Sequence, residues 1–350
     1  MISLKQNGKL NLKEICPPIV LLLIFVLLIL WPGMDSNMTI LGNKILPFVI
    51  LSLSWSIFSG PTKYMSLATA AFYGIGIYTT AIFAPQLISF IEKSLPFLQG
   101  WGTQVILMLV AGVVSFALAV FVGAITLRLR GVYFTIFTFG LLELMRNLIN
   151  WIEMRTGGSV GRRVPSLPAL TVYFCMIGLV FVLLVTAWLI KRSRFGKALV
   201  SIGESEDAAA HIGVNTTVVK VGMFAVSSFF MGAVGAAMAS TMYYTDPPIA
   251  FNMKYSFVPV LMVIFGGTRN LAGPIIGAVV FTYLEVWLLT HPIFSPYYMI
   301  LIGLVMIIAI LFLPGGIVGL GHDVHSRLRS SAKNALQGSK QMGGVGDADA

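Results

Sequence analysis

The chain has 350 residues, 57% of them apolar and only 10% charged, with a mean hydropathy of +0.90. That composition excludes a soluble globular protein. The net charge of +10 does not point to nucleic acid, because the basic residues cluster in short stretches beside apolar runs, where membrane topology accounts for them. A hydrocarbon core about 30 Å thick takes roughly 20 apolar residues per helical span. The sequence supplies such runs repeatedly, and helices satisfy their own backbone groups in lipid. The expected architecture is an all-α polytopic bundle of transmembrane helices.

Residues 1–15 carry Lys5, Lys9 and Lys13 and read as a cytoplasmic segment. The apolar run Cys16–Trp31 has the look of a signal peptide. The residues after it, Pro32-Gly-Met-Asp35, offer no small-residue cleavage site, so an uncleaved first span is expected. Ile45–Ser59 follows and stops at Gly60-Pro61. Next come Tyr64–Ile91, free of charge and interrupted by Gly74 and Gly76, then Gln104–Leu127, Gly131–Trp151 and Thr171–Ile190. A polar loop, 191–220, separates these from Val221–Met242. Ile249–Gly266 is weaker, with Pro247, Pro248, Asn252 and Lys254 at its start, and predicts a short, tilted or re-entrant segment. Leu271–Leu289 and Tyr297–Leu313 bring the count to about ten. Residues 16–320 thus form one membrane domain, and 321–350, rich in Gly, Ser, Lys and Asp, read as a disordered cytoplasmic tail.

With the N-terminus inside and every segment crossing, sixteen of the 23 Lys and Arg fall on the cytoplasmic side. Six (Lys44, Lys93, Arg155, Arg162, Arg163 and Lys254) fall outside, and Arg146 sits near a helix end. The bias places both termini in the cytoplasm.

The loop holds a polar, helix-forming island, Phe195–Asn215. Phe195, Leu199 and Ile202 recur at helical spacing and are expected to lie against the membrane face of the protein. Ser205 suits an N-cap, Glu206 and Asp207 favour the positive end of the helix dipole, and Gly213 is a natural stop. The spacing predicts a short helix over Glu206–Ile212. A lipid-binding interfacial helix shows a broad apolar face opposite Lys and Arg. The acidic pair and Ala208, Ala209 and Ala210 fit docking into a groove of another protein better. A plain interfacial connector is the alternative.

Within or beside the spans stand Lys63, Glu143, Arg146 and Glu285. A charge at the bilayer centre costs on the order of 2.5–3.5 kcal/mol, so each needs a compensating role. Glu143 and Arg146, three residues apart, predict an ion pair. Lys63 can snorkel to the interface. Glu285 has no partner evident in sequence, and reads as a buried functional carboxylate or a helix-to-helix hydrogen bond. Gly74, Gly76, Gly232, Gly235, Gly273 and Gly277 allow close helix approach. In Pro61–Tyr73 a broken helix beside Thr69, Phe72 and Tyr73 is expected to offer backbone groups to a polar solute, with Tyr133 a second lining residue. Cys16 and Cys175 read as core hydrophobes, and His322 and His325 as solvated tail residues, so no metal site is expected. Gly196-Lys197 is followed by Ala198 without an upstream P-loop glycine, and no catalytic constellation is evident. The chain is not expected to be an enzyme or to hold a cofactor.

Asp207-Ala-Ala-x-x-x-Gly213 resembles the E-A-A-x-x-x-G coupling motif of ABC importer permeases, with Asp in the Glu position. GKALVSIGESEDAAAHIGVN resembles the corresponding loop of LivM-type permeases of branched-chain amino-acid transporters. Pro61–Ala81, Gly131–Glu143, Thr156–Ser159, Phe265–Gly277 and Phe312–Leu320 resemble further stretches of that family in the same order, over about residues 45–320. The resemblance implies a second homologous permease, two cytoplasmic ATPase subunits that bind the ATP, and an extracytoplasmic solute-binding protein. It implies ATPase coupling through Glu206, Asp207, Ala208, Ala209 and Gly213, and an inner-membrane location. Branched-chain or other aliphatic amino acids are the expected cargo, urea or a short amide the alternative. Thr69 stands where the family often has His, and the chain lacks the family's frequent basic residue near Gly315; the former puts the cargo in doubt. An ion-coupled carrier would need paired carboxylates at mid-membrane; a membrane assembly protein would need no coupling helix.

Overall fold

The computed structural model describes residues 36–94, 100–157, 159–268, 270–312 and 316. The expected first span Cys16–Trp31, the segment 1–15, the tail 321–350 with its histidines, and Cys16 lie outside the described residues.

The helices are α1 (Ser36–Thr62), α2 (Thr69–Ser94), α3 (Trp101–Thr126), α4 (Val132–Gly157), α5 (Ala169–Arg192), α6 (Arg194–Glu204), α7 (Glu206–His211), α8 (Thr216–Ala239), α9 (Pro247–Ala250), α10 (Lys254–Gly266), α11 (Ala272–Thr290) and α12 (Tyr298–Phe312). Among the described residues, eight helical stretches are long and apolar enough to cross a membrane: α1 to α5, α8, α9 with α10, and α11. The bundle is all-α, as the apolar runs predicted. The fifteen residues of α12 rise only about 22 Å, less than a full bilayer core. A two-residue ribbon, β1 (Arg162–Arg163) against β2 (Tyr244–Thr245), pairs antiparallel with Arg162 opposite Thr245. Strands this short carry no readable period in the sequence. The ribbon precedes α5 and follows α8, whereas α6 and α7 join the other ends of those helices, so ribbon and island lie at opposite ends of the bundle.

The most enclosed span is α8, with 72% of its apolar window buried, packed by α1, α2 and α3. Small residues make that possible. A Cβ on Gly76 would come within 2.0 Å of the Gly232 carbonyl oxygen, and one on Gly235 within 2.1 Å of the Tyr73 carbonyl oxygen. Backbones therefore touch where α2 crosses α8.

The apolar run expected over Tyr64–Ile91 divides differently. Helix α1 continues through Pro61 to Thr62 and ends at Lys63, whose φ of 59° is left-handed. Residues 63–68 are non-helical, and α2 then runs unbroken through Gly74 and Gly76. Side chains from three helices satisfy the opened backbone. Trp55 Nε1 donates to the Ser66 carbonyl at 2.8 Å and Thr135 Oγ1 to that of Met65 at 2.9 Å. The Leu67 N–H reaches Thr138 Oγ1 at 3.0 Å. Ser256 Oγ donates to the Leu67 carbonyl at 2.7 Å and accepts from the Ala70 N–H at 3.0 Å. Buried non-helical backbone is kept only where its polar groups find such partners.

The weak segment is a broken one. Asp246 caps α9 through Oδ1 to the Ile249 N–H at 2.8 Å, the chain bends at Phe251–Met253, and the thirteen residues of α10 complete the crossing.

Candidate functional site

The polar island folds as two short helices. Ser193 Oγ accepts from the Gly196 N–H and opens α6, and Ser205 Oγ accepts from the Ala208 N–H and opens α7, each at 3.3 Å. Leu199 and Ile202 are buried, whereas Phe195 is 58% exposed, so two of the three expected apolar contacts form. Gly203 lies against the end of α1, where a Cβ would meet the Pro61 carbonyl oxygen at 2.0 Å. At the far end, Gly213 turns the chain with φ +88° and faces open space. The next span begins at Thr216, capped by Asn215, so the island is shorter than the 191–220 loop and Lys220 belongs to a helix.

Within α7 the expected coupling residues divide into two sets. Asp207, Ala208 and Gly213 are exposed, with Ile212 beside them 75% exposed. Ala209 is buried, and the Glu206 side chain is turned inward with 14% exposed. Lys220 Nζ lies 2.6 Å from Glu206 Oε1 and donates also to the Leu127 carbonyl at 2.9 Å. The Tyr64 hydroxyl donates to Glu206 Oε2. Arg130 grips Asp207 with two hydrogen bonds, 2.9 and 3.3 Å, and lies 3.8 Å from Glu206. The carboxylate expected to meet a partner thus fastens α7 to α8, to the end of α3 and to the non-helical stretch before α2.

The electrostatics agree. Burial alone would raise the Glu206 pKa, but hydrogen bonds from Lys220 and Tyr64 and the charges of Lys220 and Arg130 outweigh it and hold the carboxyl low. Hydrogen bonding to Arg130 lowers Asp207. Burial and Glu206 push the Tyr64 phenol up, so it stays a proton donor. Sequence reasoning missed Tyr64, Arg130 and Lys220 as members of this group. The one available signal was a lysine immediately before an apolar run.

The expected path residues lie in different surroundings. Thr69, Phe72 and Tyr73 are buried within the chain, Phe72 edge-on to Phe224 with centroids 5.4 Å apart and Tyr73 against Tyr255 at 4.3 Å. Tyr133, at the start of α4, is 74% exposed. The backbone of 63–68, expected to be offered to a solute, is hydrogen-bonded to side chains at Met65, Ser66 and Leu67. Glu285, for which no partner was evident in sequence, is buried and ion-paired with Lys254, a helix-to-helix bond as its second reading had it, because the α10–α11 hairpin joins residues 31 apart. Glu143 and Arg146 form their pair at 2.6 Å, and Lys63 pairs at 3.1 Å with Glu204 on the exposed surface. At the ribbon end, Glu153 is buried and accepts from Arg162 Nε, the Gly161 N–H and the Tyr78 hydroxyl at 3.0, 2.9 and 3.3 Å. It anchors the loop that carries β1.

The family described as branched-chain amino acid transport system / permease component matches residues 37–310. The high-affinity branched-chain amino acid transport system permease proteins LivM of Salmonella typhimurium and Escherichia coli are each 25% identical over 85% of this chain and 74% of their own length. The ribose import permease protein RbsC of Haemophilus influenzae is 27% identical over 39% of this chain and 43% of its own. No solved structure matches the chain.

Proposed function

The chain belongs to the branched-chain amino acid transport system permease component family, and on that premise we propose that it forms half of the membrane path of an ATP-driven importer for branched-chain or other aliphatic amino acids. It is a multi-pass membrane protein of the LivM type. In this reading it sits in the bacterial inner membrane with both termini in the cytoplasm. Residues 16–320 are the permease domain. It pairs with a second, homologous permease, two cytoplasmic ATPase subunits bind and hydrolyse the ATP, and a solute-binding protein delivers cargo from outside.

The observation that carries this reading is the division of α7. Ala208, Ile212 and Gly213, with Asp207 held beside them by Arg130, present an exposed outer face that suits a groove of the ATPase. On the inner side Glu206 is fastened to Tyr64 and Lys220. Closure of the ATPase pair pushes on the outer face, and the inner fastening passes the displacement to α8 and the stretch before α2. Work is done only because the ATPase binds one arrangement of these elements better than the other.

Similarity to ribose and arabinose permeases over 35–39% of the chain favours a sugar as the second reading. Affinity purification in mild detergent from the native membrane tests the assembly. Two ATPases and a second permease are expected in stoichiometric yield, and recovery of the chain alone, stable and monodisperse, overturns it. Uptake of labelled leucine against labelled ribose, with and without the gene for this chain, decides the cargo.

A further inference from the structure

Among the described spans, α4 is the least covered: 22% of its apolar window is buried, against 39% or more for the others. Yet it is not a lipid-like helix. Glu143, Arg146, Asn147 and Asn150 fall at i, i+3, i+4 and i+7, one face of a helix. Charges and amides on a span face the interior of an assembly or water rather than lipid. Arg146, Asn147 and Asn150 form one wall of a cleft of about 440 Å³, within the range of small-molecule sites, about 300–1,000 Å³. Tyr244 of β2 and Asp246, the N-cap of α9, line the same cleft, and Pro247 and Pro248 supply apolar surface beside them. The cleft lies at the ribbon end of the bundle, opposite the island, and so on the outer side given by the basic-residue count.

The chemistry of the walls is that of an α-amino acid in mirror image. A guanidinium is a planar fork matched to a carboxylate. The ion pair with Glu143 at 2.6 Å orients that fork from within its own helix. In the same cleft Asp246 Oδ1 is fixed by accepting from the Ile249 N–H at 2.8 Å. One cation and one anion lining one cleft suit a zwitterion, which compensates both charges, whereas a neutral sugar could hydrogen-bond the two groups but compensate neither charge. We propose that this outer cleft receives a zwitterionic aliphatic amino acid as it enters the path, with Arg146 taking its carboxylate and Asp246 its ammonium group. The proposal rests on the importer reading above and adds to it the side chains that select a charged solute.

The test uses the intact transporter in proteoliposomes with saturating leucine-loaded binding protein, reading leucine uptake and ATP hydrolysis together. In Asp246→Asn the side-chain oxygen still caps α9, so the fold is kept while the charge is lost. Arg146→Gln is made alone and with Glu143→Gln, the double change leaving no unpaired carboxylate. The expected result is a loss of at least tenfold in leucine moved per ATP hydrolysed, with hydrolysis within twofold of wild type and Arg146→Lys partly restoring it. An unchanged ratio overturns the proposal. A parallel fall of uptake and hydrolysis overturns it too, since it marks a docking or assembly role. Should the Arg146 variants not assemble, Asp246→Asn decides alone. Failure of the wild-type transporter to move any amino acid, with ribose carried instead, would defeat the importer reading for amino acids whatever the variants do.

Discussion

Lys220 and Glu206 meet at 2.6 Å, with 2% of the lysine side chain exposed. The same ammonium reaches the Leu127 carbonyl and lies 4.7 Å above the ring of Tyr64. One cation therefore joins α7, the end of α3, the stretch before α2 and the start of α8, the most buried of the described spans. A displacement of α7 cannot leave these elements behind without separating a buried ion pair.

Removing one partner leaves the other charge enclosed and uncompensated, a loss of about 3–5 kcal/mol in buried pairs. Lys220→Met and Glu206→Gln are each expected to lower the thermal unfolding temperature of the purified chain markedly. The double variant should recover much of the loss, because no bare charge remains. Additive losses in the double variant would mean that the two residues act separately. Where the double variant assembles, transport should stay impaired, since the mechanical connection is gone even when the fold is restored.

The fastening also carries a pH dependence of definite sign. Glu206 and Asp207 have their pKa values lowered in the folded chain from ordinary values of 4.5 and 3.8. A lowered carboxyl contributes stability that is complete above its unfolded pKa and is lost as pH falls through the folded value. Amide protection factors across residues 205–213, corrected for intrinsic exchange, should therefore be flat from about pH 7 down to 4.5 and fall below it. A fall already complete by about pH 5.5 would assign the docking of α7 to other groups.

The spans and the short helix α7 were legible because each is encoded locally. Apolar length reports a crossing, and Ser205, Glu206, Asp207 and Gly213 stand at the positions that begin and end one helix; it was expected over Glu206–Ile212 and runs Glu206–His211. What Glu206 touches was not legible. Its partners lie at positions 64, 130 and 220, and the packing of three separate segments of the chain brings them together. The same holds for Lys254 with Glu285, and for Glu153 with Arg162 and Tyr78. A break was expected within Pro61–Tyr73 and falls at residues 63–68, but hydropathy gave neither its bounds nor the fate of its backbone. Residues 64–68 are nearly as apolar as a helix, and their backbone is enclosed by Trp55, Thr135, Thr138 and Ser256, whose hydroxyl and indole groups give no periodic signal.

The glycines in the spans are not equivalent, and a contrast among them tests the packing. Gly76→Ala would place a methyl 2.0 Å from the Gly232 carbonyl oxygen, so α2 and α8 must separate. Gly178, in α5, has no atom within 4 Å of an added Cβ. Gly178→Ala should be stable or slightly stabilised, by up to about 1 kcal/mol from the helix preference of alanine. Gly76→Ala should lose several times that, read as yield and unfolding temperature in detergent. Equal behaviour of the two variants would contradict backbone contact between α2 and α8.

Gly213 separates strain from docking. Its φ of +88° disfavours any side chain, yet no atom lies within 4 Å of the site an added Cβ would occupy. Gly213→Ala therefore tests backbone strain alone, of order 1–3 kcal/mol in a small helix end. Gly213→Trp adds bulk that points away from the chain, toward the space assigned to the ATPase. If α7 docks there, Gly213→Trp should insert and fold like Gly213→Ala but lose ATP-driven uptake and co-purification of the ATPase, while Gly213→Ala keeps a substantial fraction of both. A Gly213→Trp protein that expresses well and transports at the wild-type rate would remove α7 from the coupling interface. Equal loss in both variants would assign the defect to the turn itself, leaving the outer face of α7 without a partner.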